Sequence, residues 1–170
     1  MPTGEPPPID TVRLRLVPTT LEHASALFPI WGNPDLLGHY LKDVCKTVDD
    51  CAHVVERMLS GQESGAGYRW SIGMPDCGRI IGSLGYHDWN RQERRAELSY
   101  ELVPEQWGRG YATEAAAAVL DFGFRQMRLT TVVGQVARTN APSIRVLERA
   151  GFVRSGLTPS GELLYRFEPL

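Results

Sequence analysis

The segment PEQWGRGYATEA, residues 104–115, places two glycines two positions apart, directly before an alanine-rich run that favours a helix. The first turn of a helix carries unpaired N–H groups and a partial positive charge, so that an anion can bind there. Gly108 and Gly110 would let such an anion come close to the backbone. The segment therefore predicts either a phosphate-binding loop or a simple tight turn.

Two common phosphate-binding motifs fit this segment poorly. The pattern GxxxxGK[ST] is absent from the chain. In the dinucleotide pattern GxGxxG, Gly108 and Gly110 match the first two glycines, but Thr113 stands at the third position. A nicotinamide-binding domain consequently stays open only as an alternative to another phosphate-binding function.

The composition is typical of one globular domain. The chain has 170 residues, with 42% hydrophobic and 22% charged residues, which is long enough for a sizeable core. Its formal net charge of -2 argues against a nucleic-acid-binding protein held by phosphate contacts. A single small polyanion could still bind, because one local pocket is enough for it.

Cysteine usage and hydropathy indicate a cytoplasmic protein. The chain has three cysteines, Cys45, Cys51 and Cys77, and they form no CxxC pair. We therefore expect free thiols rather than a disulfide framework or a structural zinc site. No run approaches the ~20 apolar residues that cross a membrane, and the first ten residues do not form a signal peptide. We therefore predict no metal, no membrane association and a reducing compartment.

The periodicity predicts one domain over residues 11–170, preceded by a flexible proline-rich tail over 1–10. Thr47 and Asp50 form a capping-box signal for an amphipathic helix that we expect to end at Gly61, and an earlier helix should end near Pro29. The predicted order is strand, two helices, three strands, helix, strand, helix and two strands.

This order predicts the α/β (α+β) class. The three central strands, around residues 68–74, 79–87 and 96–103, should form an antiparallel meander. The strand–helix–strand crossover that follows should be parallel. We therefore expect a mixed, mostly antiparallel central sheet flanked by helices.

Two longer segments, AELSYELVPEQWGRGYATEAAAAVLDFGF and NAPSIRVLERAGF, resemble the GNAT N-acetyltransferase superfamily. The ribosomal-protein N-terminal (Rim-type) acetyltransferase branch is the most similar. The resemblance implies the acyl-CoA N-acyltransferase fold, with acetyl-CoA as the acetyl donor and direct transfer to a primary amine. It also makes a homodimer a reasonable expectation, because dimers are common in that branch.

The family's loop pattern [QR]xxGx[GA] falls on residues 107–112, with Trp107 where glutamine or arginine is common. The resemblance implies that the pantetheine arm pairs with the strand end and that backbone N–H groups hold the pyrophosphate. The implied cofactor-binding residues are Leu102, Val103, Gly108, Arg109, Gly110, Tyr111, Ala112, Thr113 and Asn140.

Acetyl transfer also needs a group that protonates the departing thiolate. Many relatives use a tyrosine in the last crossover helix, and Leu147 stands at that position. Ser143, one turn earlier, matches a serine frequent in the resembled branch, so it is our candidate acid. It could equally be an ordinary serine in the first turn of a helix.

The candidate bases lie on two strands. Glu97 and Glu101 are on the same face of their strand by period-two counting, and Glu97 matches an acidic position frequent in the branch. His87 and Asp88, at the end of the preceding strand, are further candidates. Each of these residues alone would more often be a solvated or structural side chain.

Weak base candidates favour an acceptor of low pKa. At pH 7, deprotonating an α-amine of pKa about 8 costs about 1.4 kcal/mol, whereas a lysine of pKa about 10.4 costs about 4.6 kcal/mol. A protein N-terminus is therefore our first acceptor hypothesis, and a small-molecule amine (an antibiotic, polyamine or amino acid) is the second. A non-catalytic acyl-CoA-binding module is the alternative that Leu147 favours. We expect residues 39–43 and 86–90 to help bind the acceptor.

Overall fold

The computed structural model describes residues 4–37 and 44–169. The described strands are β1 (Ile9–Asp10), β2 (Arg15–Pro18), β3 (Tyr68–Gly73), β4 (Ile80–Asn90), β5 (Arg95–Leu102), β6 (Thr131–Val136), β7 (Val153–Leu157) and β8 (Leu163–Phe167). The described helices are α1 (Ala24–Trp31), α2 (Pro34–Leu37), α3 (Val48–Glu63), α4 (Tyr111–Arg125) and α5 (Ala141–Arg149).

The strands form an 8-stranded sheet in the order β1-β2-β3-β4-β5-β6-β8-β7. Neighbouring strands are antiparallel except for β5 and β6, which are parallel and are joined by the crossover through α4. The predicted meander (β3, β4, β5), the parallel crossover and the mixed, mostly antiparallel sheet are all confirmed.

The parallel ladder is short. Within the described residues it joins Arg95–Glu97 to Thr131–Val133 and ends there. β5 nevertheless continues to Leu102, still paired with β4 on its other side. The two parallel strands therefore leave a gap between them in the middle of the sheet.

The sheet carries helices on both faces, and its two faces differ in polarity. The Tyr86 hydroxyl donates a 2.8 Å hydrogen bond to the Val119 carbonyl of α4. On the opposite face, the Trp31 indole of α1 donates to the Glu101 carboxylate. Alternate residues of β3, β4 and β5 on this second face are polar: Arg69, Ser71, Ser83, His87, Glu97, Ser99 and Glu101.

Local signals explain where the helices begin and end. Thr47 and Asp50 form the predicted capping box at the start of α3. The predicted stop at Gly61 is wrong, because α3 continues to Glu63. The chain reverses instead at Gly65, whose φ of +80° is left-handed, and the N–H of Ala66 donates to the Gly61 carbonyl as in a Schellman motif.

Two further sequence expectations need adjustment. The helix predicted to end near Pro29 is α1, which includes this proline and ends two residues later, at Trp31. The segment predicted as a tail contains β1, which pairs with β2, and the Trp70 indole donates to the Pro7 carbonyl. The sheet therefore begins before residue 11.

The expected acceptor segment at 39–43 lies outside the described residues. No helix in the described ranges 4–37 and 44–169 is both long and apolar enough to cross a membrane.

We expect Thr47→Ala to lower the free energy of unfolding by about 1 kcal/mol, because the first turn of α3 would lose its capping acceptor. Urea unfolding followed by circular dichroism measures this change. Thr47→Ser is the matched control, since it keeps the acceptor oxygen. Equal stability of the alanine and serine variants would show that the capping box contributes nothing.

Candidate active site

The glycine loop has the conformation that its residue types predict. Gly108 and Gly110 have φ values of +72° and +79°, which strongly favour glycine, and Gly110 is the N-cap of α4. The 15-residue helix α4 begins at Tyr111, so the N–H groups of its first turn have no partners within the helix. This geometry fits the backbone cradle that the sequence predicts for an anion.

The loop forms one wall of a cavity of about 540 Å³, which we call the donor cavity. Its lining includes most of the predicted cofactor residues: Leu102, Gly108, Gly110, Tyr111, Ala112, Thr113 and Asn140. Two predicted cofactor residues, Arg109 and Val103, are not part of this lining. The Arg109 side chain is exposed, and its carbonyl accepts a hydrogen bond from Arg13. The Val103 N–H donates to the Ile81 carbonyl and is therefore already used within the sheet.

Trp107, the residue that departs from the family's loop pattern, contacts the end of β5. Its indole N–H donates a 2.8 Å hydrogen bond to the Leu102 carbonyl. Because the Val103 N–H points to β4, the Leu102 N–H points to the opposite side, into the gap. Leu102 therefore offers the gap a backbone donor, while its carbonyl is occupied.

The opposite wall of the donor cavity is α5. Asn140 caps this helix, its side-chain oxygen accepting a hydrogen bond from the Ser143 N–H. Arg145 and Arg149 also line this wall and bring positive charge to the cavity. Leu147 is buried in the core at 2% exposure, so this position supplies packing and no proton donor.

A second cavity, of about 530 Å³, lies on the polar face of the sheet, and we call it the acceptor cavity. Side chains of α3, β4, β5 and β6 contribute to its walls. The two cavities share four lining residues at the gap between β5 and β6: Glu101, Ala137, Asn140 and Ser143. A group held in one cavity can therefore reach a group held in the other.

Glu101, at the junction of the cavities, forms a buried ion pair with Arg69. The two side chains are 9% and 10% exposed, respectively. One carboxylate oxygen, Oε1, accepts hydrogen bonds from Arg69, Ser83 and Trp31. Among the described residues no donor reaches the other oxygen, Oε2. Glu101 is thus fixed in place with one oxygen still able to accept a hydrogen bond.

Glu97, the other predicted base, has a different environment. Its Oε2 accepts a 2.8 Å hydrogen bond from the Gln135 amide, and its Oε1 lies 3.8 Å from His87 Nε2. Burial raises the pKa of the Glu97 carboxyl above its ordinary value, although His87 and the hydrogen bond from Gln135 oppose the change. A carboxylate with a raised pKa is a stronger proton acceptor than an ordinary one.

His87 and Asp88 lie where β4 becomes irregular. The register between β4 and β5 shifts between His87 and Asn90, and Asp88 has a φ of +50°, which is uncommon outside glycine. This bend places the Asp88 carboxylate 2.9 Å from His87 Nδ1. The potential metal-binding atoms of His87, Asp88 and Glu97 all lie within 4.8 Å of one another. These three side chains are thus close enough to share a proton or to bind a cation.

Ser143, the predicted acid, is paired with a tyrosine. The Tyr100 hydroxyl lies 2.8 Å from Ser143 Oγ and donates to the Ser143 carbonyl at 3.0 Å. Burial raises the pKa of Tyr100 to about 12, so this hydroxyl stays protonated near neutral pH. The pair lies at the junction of the two cavities, because Ser143 lines both.

The two cavities differ in charge. Beyond the Arg69–Glu101 pair, the acceptor cavity is lined by the acids Asp88, Glu97 and Glu162 against Arg57. The donor cavity has Arg145 and Arg149 against Asp35 and the shared Glu101, whose charge is paired with Arg69. One cavity therefore suits a cation and the other suits an anion.

Sequence reasoning did not identify Arg13, Arg69 or Gln135 as site residues. Arg69 carried a usable signal, since it is the charged residue in an otherwise uncharged strand. Arg13 and Gln135 carried none, because their partners are distant in the sequence. Tyr100 is buried at the cavity, with its hydroxyl 2.8 Å from Ser143 Oγ.

Comparison with known proteins agrees with this geometry. Residues 13–153 match the family described as the acetyltransferase (GNAT) domain. The N-acetyltransferase p20 of Bacillus licheniformis is 30% identical over 151 residues, which cover 86% of this chain and 83% of that protein. The spermidine N(1)-acetyltransferase of Escherichia coli is 33% identical over 90 residues, covering 53% of this chain and 46% of that protein.

Among solved structures, the chain is similar to RimL, a ribosomal alpha-N-protein acetyltransferase solved in complex with coenzyme A. The TM-score is 0.83 at 17% identity, over 95% of this chain and 97% of that chain. This likeness confirms the fold. The family match spans most of the sequence, so the chain belongs to the acetyltransferase (GNAT) domain family and is an acetyl-CoA-dependent N-acetyltransferase.

Proposed function

We propose that this protein acetylates the α-amine of a peptide or protein N-terminus, with acetyl-CoA in the donor cavity and the amine in the acceptor cavity. The observation that carries the proposal is the junction of the two cavities at the gap between β5 and β6. The anion-binding loop lies in one cavity and the buried carboxylates lie in the other.

The donor cavity fits an acyl-CoA. The N–H groups at the start of α4 would hold the pyrophosphate, and Gly108 leaves open space above the loop, since a Cβ built there meets no atom within 4 Å. The Leu102 N–H, which points into the gap, would bind a carbonyl of the pantetheine arm or of the thioester. Asn140 uses its side-chain oxygen in the helix cap, which leaves its amide N–H groups for the arm.

Glu97 is the general base in this proposal. An incoming amine must lose its proton before nitrogen attacks the thioester carbonyl. Glu97 is partly buried, and its raised pKa brings it closer to that of an α-amine. His87, held by Asp88, would share the accepted proton and pass it to solvent. In this proposal Glu101 is an anchor and not the base that the sequence suggests, because its Oε1 is already held by Arg69, Ser83 and Trp31.

Ser143 would donate its hydroxyl hydrogen to the sulfur when the C–S bond breaks, and solvent would then return a proton to the serine oxygen. Tyr100 fixes the position of that hydroxyl through its own hydrogen bonds to Ser143. The thiolate of a thiol with a pKa of about 8.5 leaves readily, so we expect Ser143 to contribute less to the rate than the base does.

The lining of the acceptor cavity favours a second candidate acceptor. Asp88, Glu97 and Glu162 lie in β4, in β5 and in the turn before β8, so no acidic run in the sequence revealed them. Their mutual repulsion is part of what raises the pKa of Glu97, and a bound cation would relieve it. A polyamine, which carries more than one positive charge, is therefore the alternative to an N-terminal amine.

The first test measures thiol release from acetyl-CoA with a panel of amines at pH 7. We expect kcat/KM to be highest for peptides with a free N-terminus. N-terminally blocked lysine peptides should react at least a hundredfold more slowly, because deprotonating them costs about 3 kcal/mol more. A preference for spermidine would select the polyamine candidate, and the absence of turnover with every amine would contradict catalysis altogether.

The base assignment predicts a pH dependence. The base acts when ionised, so kcat/KM should rise with pH through the raised pKa of Glu97. Gln135→Leu removes a hydrogen bond that favours the ionised form, and the acidic limb should therefore move to higher pH. Glu97→Gln should lower kcat/KM by at least a hundredfold.

The pH–rate profiles of these variants are compared with that of Glu162→Gln. This control, like Glu97→Gln, removes an acid from the cavity lining. The Glu162 carboxylate repels that of Glu97 and raises its pKa, so its removal should lower the pKa of Glu97. Its acidic limb should move in the opposite direction. Identical profiles for all variants would exclude Glu97 as the base.

For Ser143→Ala we expect a fall in kcat of about tenfold with little change in KM, because the hydroxyl acts as the thiolate departs. Tyr100→Phe keeps the ring and should produce a smaller fall. The control repeats the stopped-flow measurement with a thioester whose thiol has a lower pKa. Its thiolate leaves with less help, so the falls in kcat of both variants should be smaller. An unchanged kcat in Ser143→Ala would remove this serine from the mechanism.

A further inference from the structure

We propose that Arg13 is a positioning residue for the pyrophosphate-binding loop, acting from the segment between β1 and β2. This inference rests on the proposed binding of acetyl-CoA at the loop. Arg13 precedes β2 and lies across the start of α4, almost a hundred residues later in the sequence.

Four contacts of Arg13 converge on the loop and the first helical turn. Its Nη1 donates a 2.9 Å hydrogen bond to the Arg109 carbonyl, between the two glycines. Its Nε and its backbone N–H each donate to the Glu114 carboxylate, at 2.7 and 2.8 Å. Its guanidinium carbon lies 4.7 Å from the centre of the Tyr111 ring. A single side chain therefore fixes the loop on both sides of Gly110.

The contact with the Arg109 carbonyl matters because of the peptide unit that it orients. That carbonyl and the Gly110 N–H belong to one planar peptide group and point in opposite directions. When Arg13 holds the carbonyl, the N–H is directed away from the arginine. Gly108 and Gly110 are conformationally permissive, so the loop would otherwise sample other orientations of this peptide.

Arg13 also corrects an electrostatic conflict at the helix start. Glu114 lies in the first turn of α4, where its negative charge would repel a bound phosphate. Burial favours its protonated form, but hydrogen bonds from Thr11 and Arg13 outweigh that effect and hold the pKa of Glu114 below its ordinary value. The carboxylate thus stays ionised, is turned toward the β1–β2 segment and is neutralised there.

The strand offers a matched control for Arg13. Arg15 is two residues further along, 55% exposed, and forms a 3.5 Å ion pair with Asp10. Arg13 has a similar exposure of 45%, so both are arginines on the surface of the same strand region. Only Arg13 contacts the loop, so the two substitutions separate a local effect from a general loss of charge.

The test measures binding of coenzyme A and of pantetheine, which lacks the pyrophosphate, by calorimetry with the full chain. For Arg13→Met we expect the Kd for coenzyme A to rise at least tenfold, while the Kd for pantetheine stays unchanged. Arg15→Met should change neither. Adding Glu114→Gln to Arg13→Met should recover part of the lost affinity, because the unpaired negative charge is then removed.

The outcomes separate this inference from the proposed function. If the unsubstituted protein does not bind coenzyme A, acetyl-CoA binding itself fails. If it binds but Arg13→Met leaves the Kd unchanged, or weakens both ligands equally, only the positioning role is overturned. Arg13→Lys, which keeps the charge, gives the same comparison where Arg13→Met fails to fold. Its Kd for coenzyme A should lie between those of the unsubstituted protein and a tenfold loss.

Discussion

The short parallel ladder between β5 and β6 is the constraint on which the site depends. The ladder ends at Glu97 and Val133, while β5 stays paired with β4 as far as Leu102. One edge of β5 is therefore satisfied and rigid, and the other is open to a ligand. A buried strand edge without partners would be unfavourable, since each unpaired backbone group loses its hydrogen bonds to water. The gap is consequently suited to a ligand that offers amide groups of its own, as the pantetheine arm of acetyl-CoA does.

The two sides of this gap carry different charges. In the proposed binding mode the donor side relies on backbone dipoles, with Arg145 and Arg149 nearby, so the chain would bind a polyanion although its net charge is -2. The acceptor side contains Glu97, whose ionisation is resisted by burial and by neighbouring acids. In the proposed reaction a protonated amine would be attracted by these acids and, once bound, would meet a carboxylate able to take its proton. Binding and deprotonation of the acceptor would thus use the same side chains.

The sequence was informative where the signals are local. Periodicity and capping residues predicted the element order apart from β1 and the four-residue α2, together with the parallel crossover and the start of α3. The glycine spacing located the loop. The errors also have local causes: Gly61 resembles a helix stop in the sequence, whereas the chain reverses at the left-handed Gly65, four positions later. The network around Glu101 could not be predicted in the same way, because its partners Trp31 and Arg69 come from elements far apart in the chain. Only the folded sheet brings them together.

Leu147 at the usual tyrosine position does not imply that catalysis has been lost. A binding module needs the donor cavity alone, and a core leucine in α5 is compatible with that. The acceptor cavity, however, retains a desolvated carboxylate at Glu97 and a buried ion pair at Arg69 and Glu101, and burying such groups is unfavourable without a compensating role. A pair of hydroxyls is also present at the first turn of α5, because Tyr100 reaches it from β5 and contacts Ser143. In the proposed mechanism Ser143 is the proton donor, and it lines both cavities at their junction.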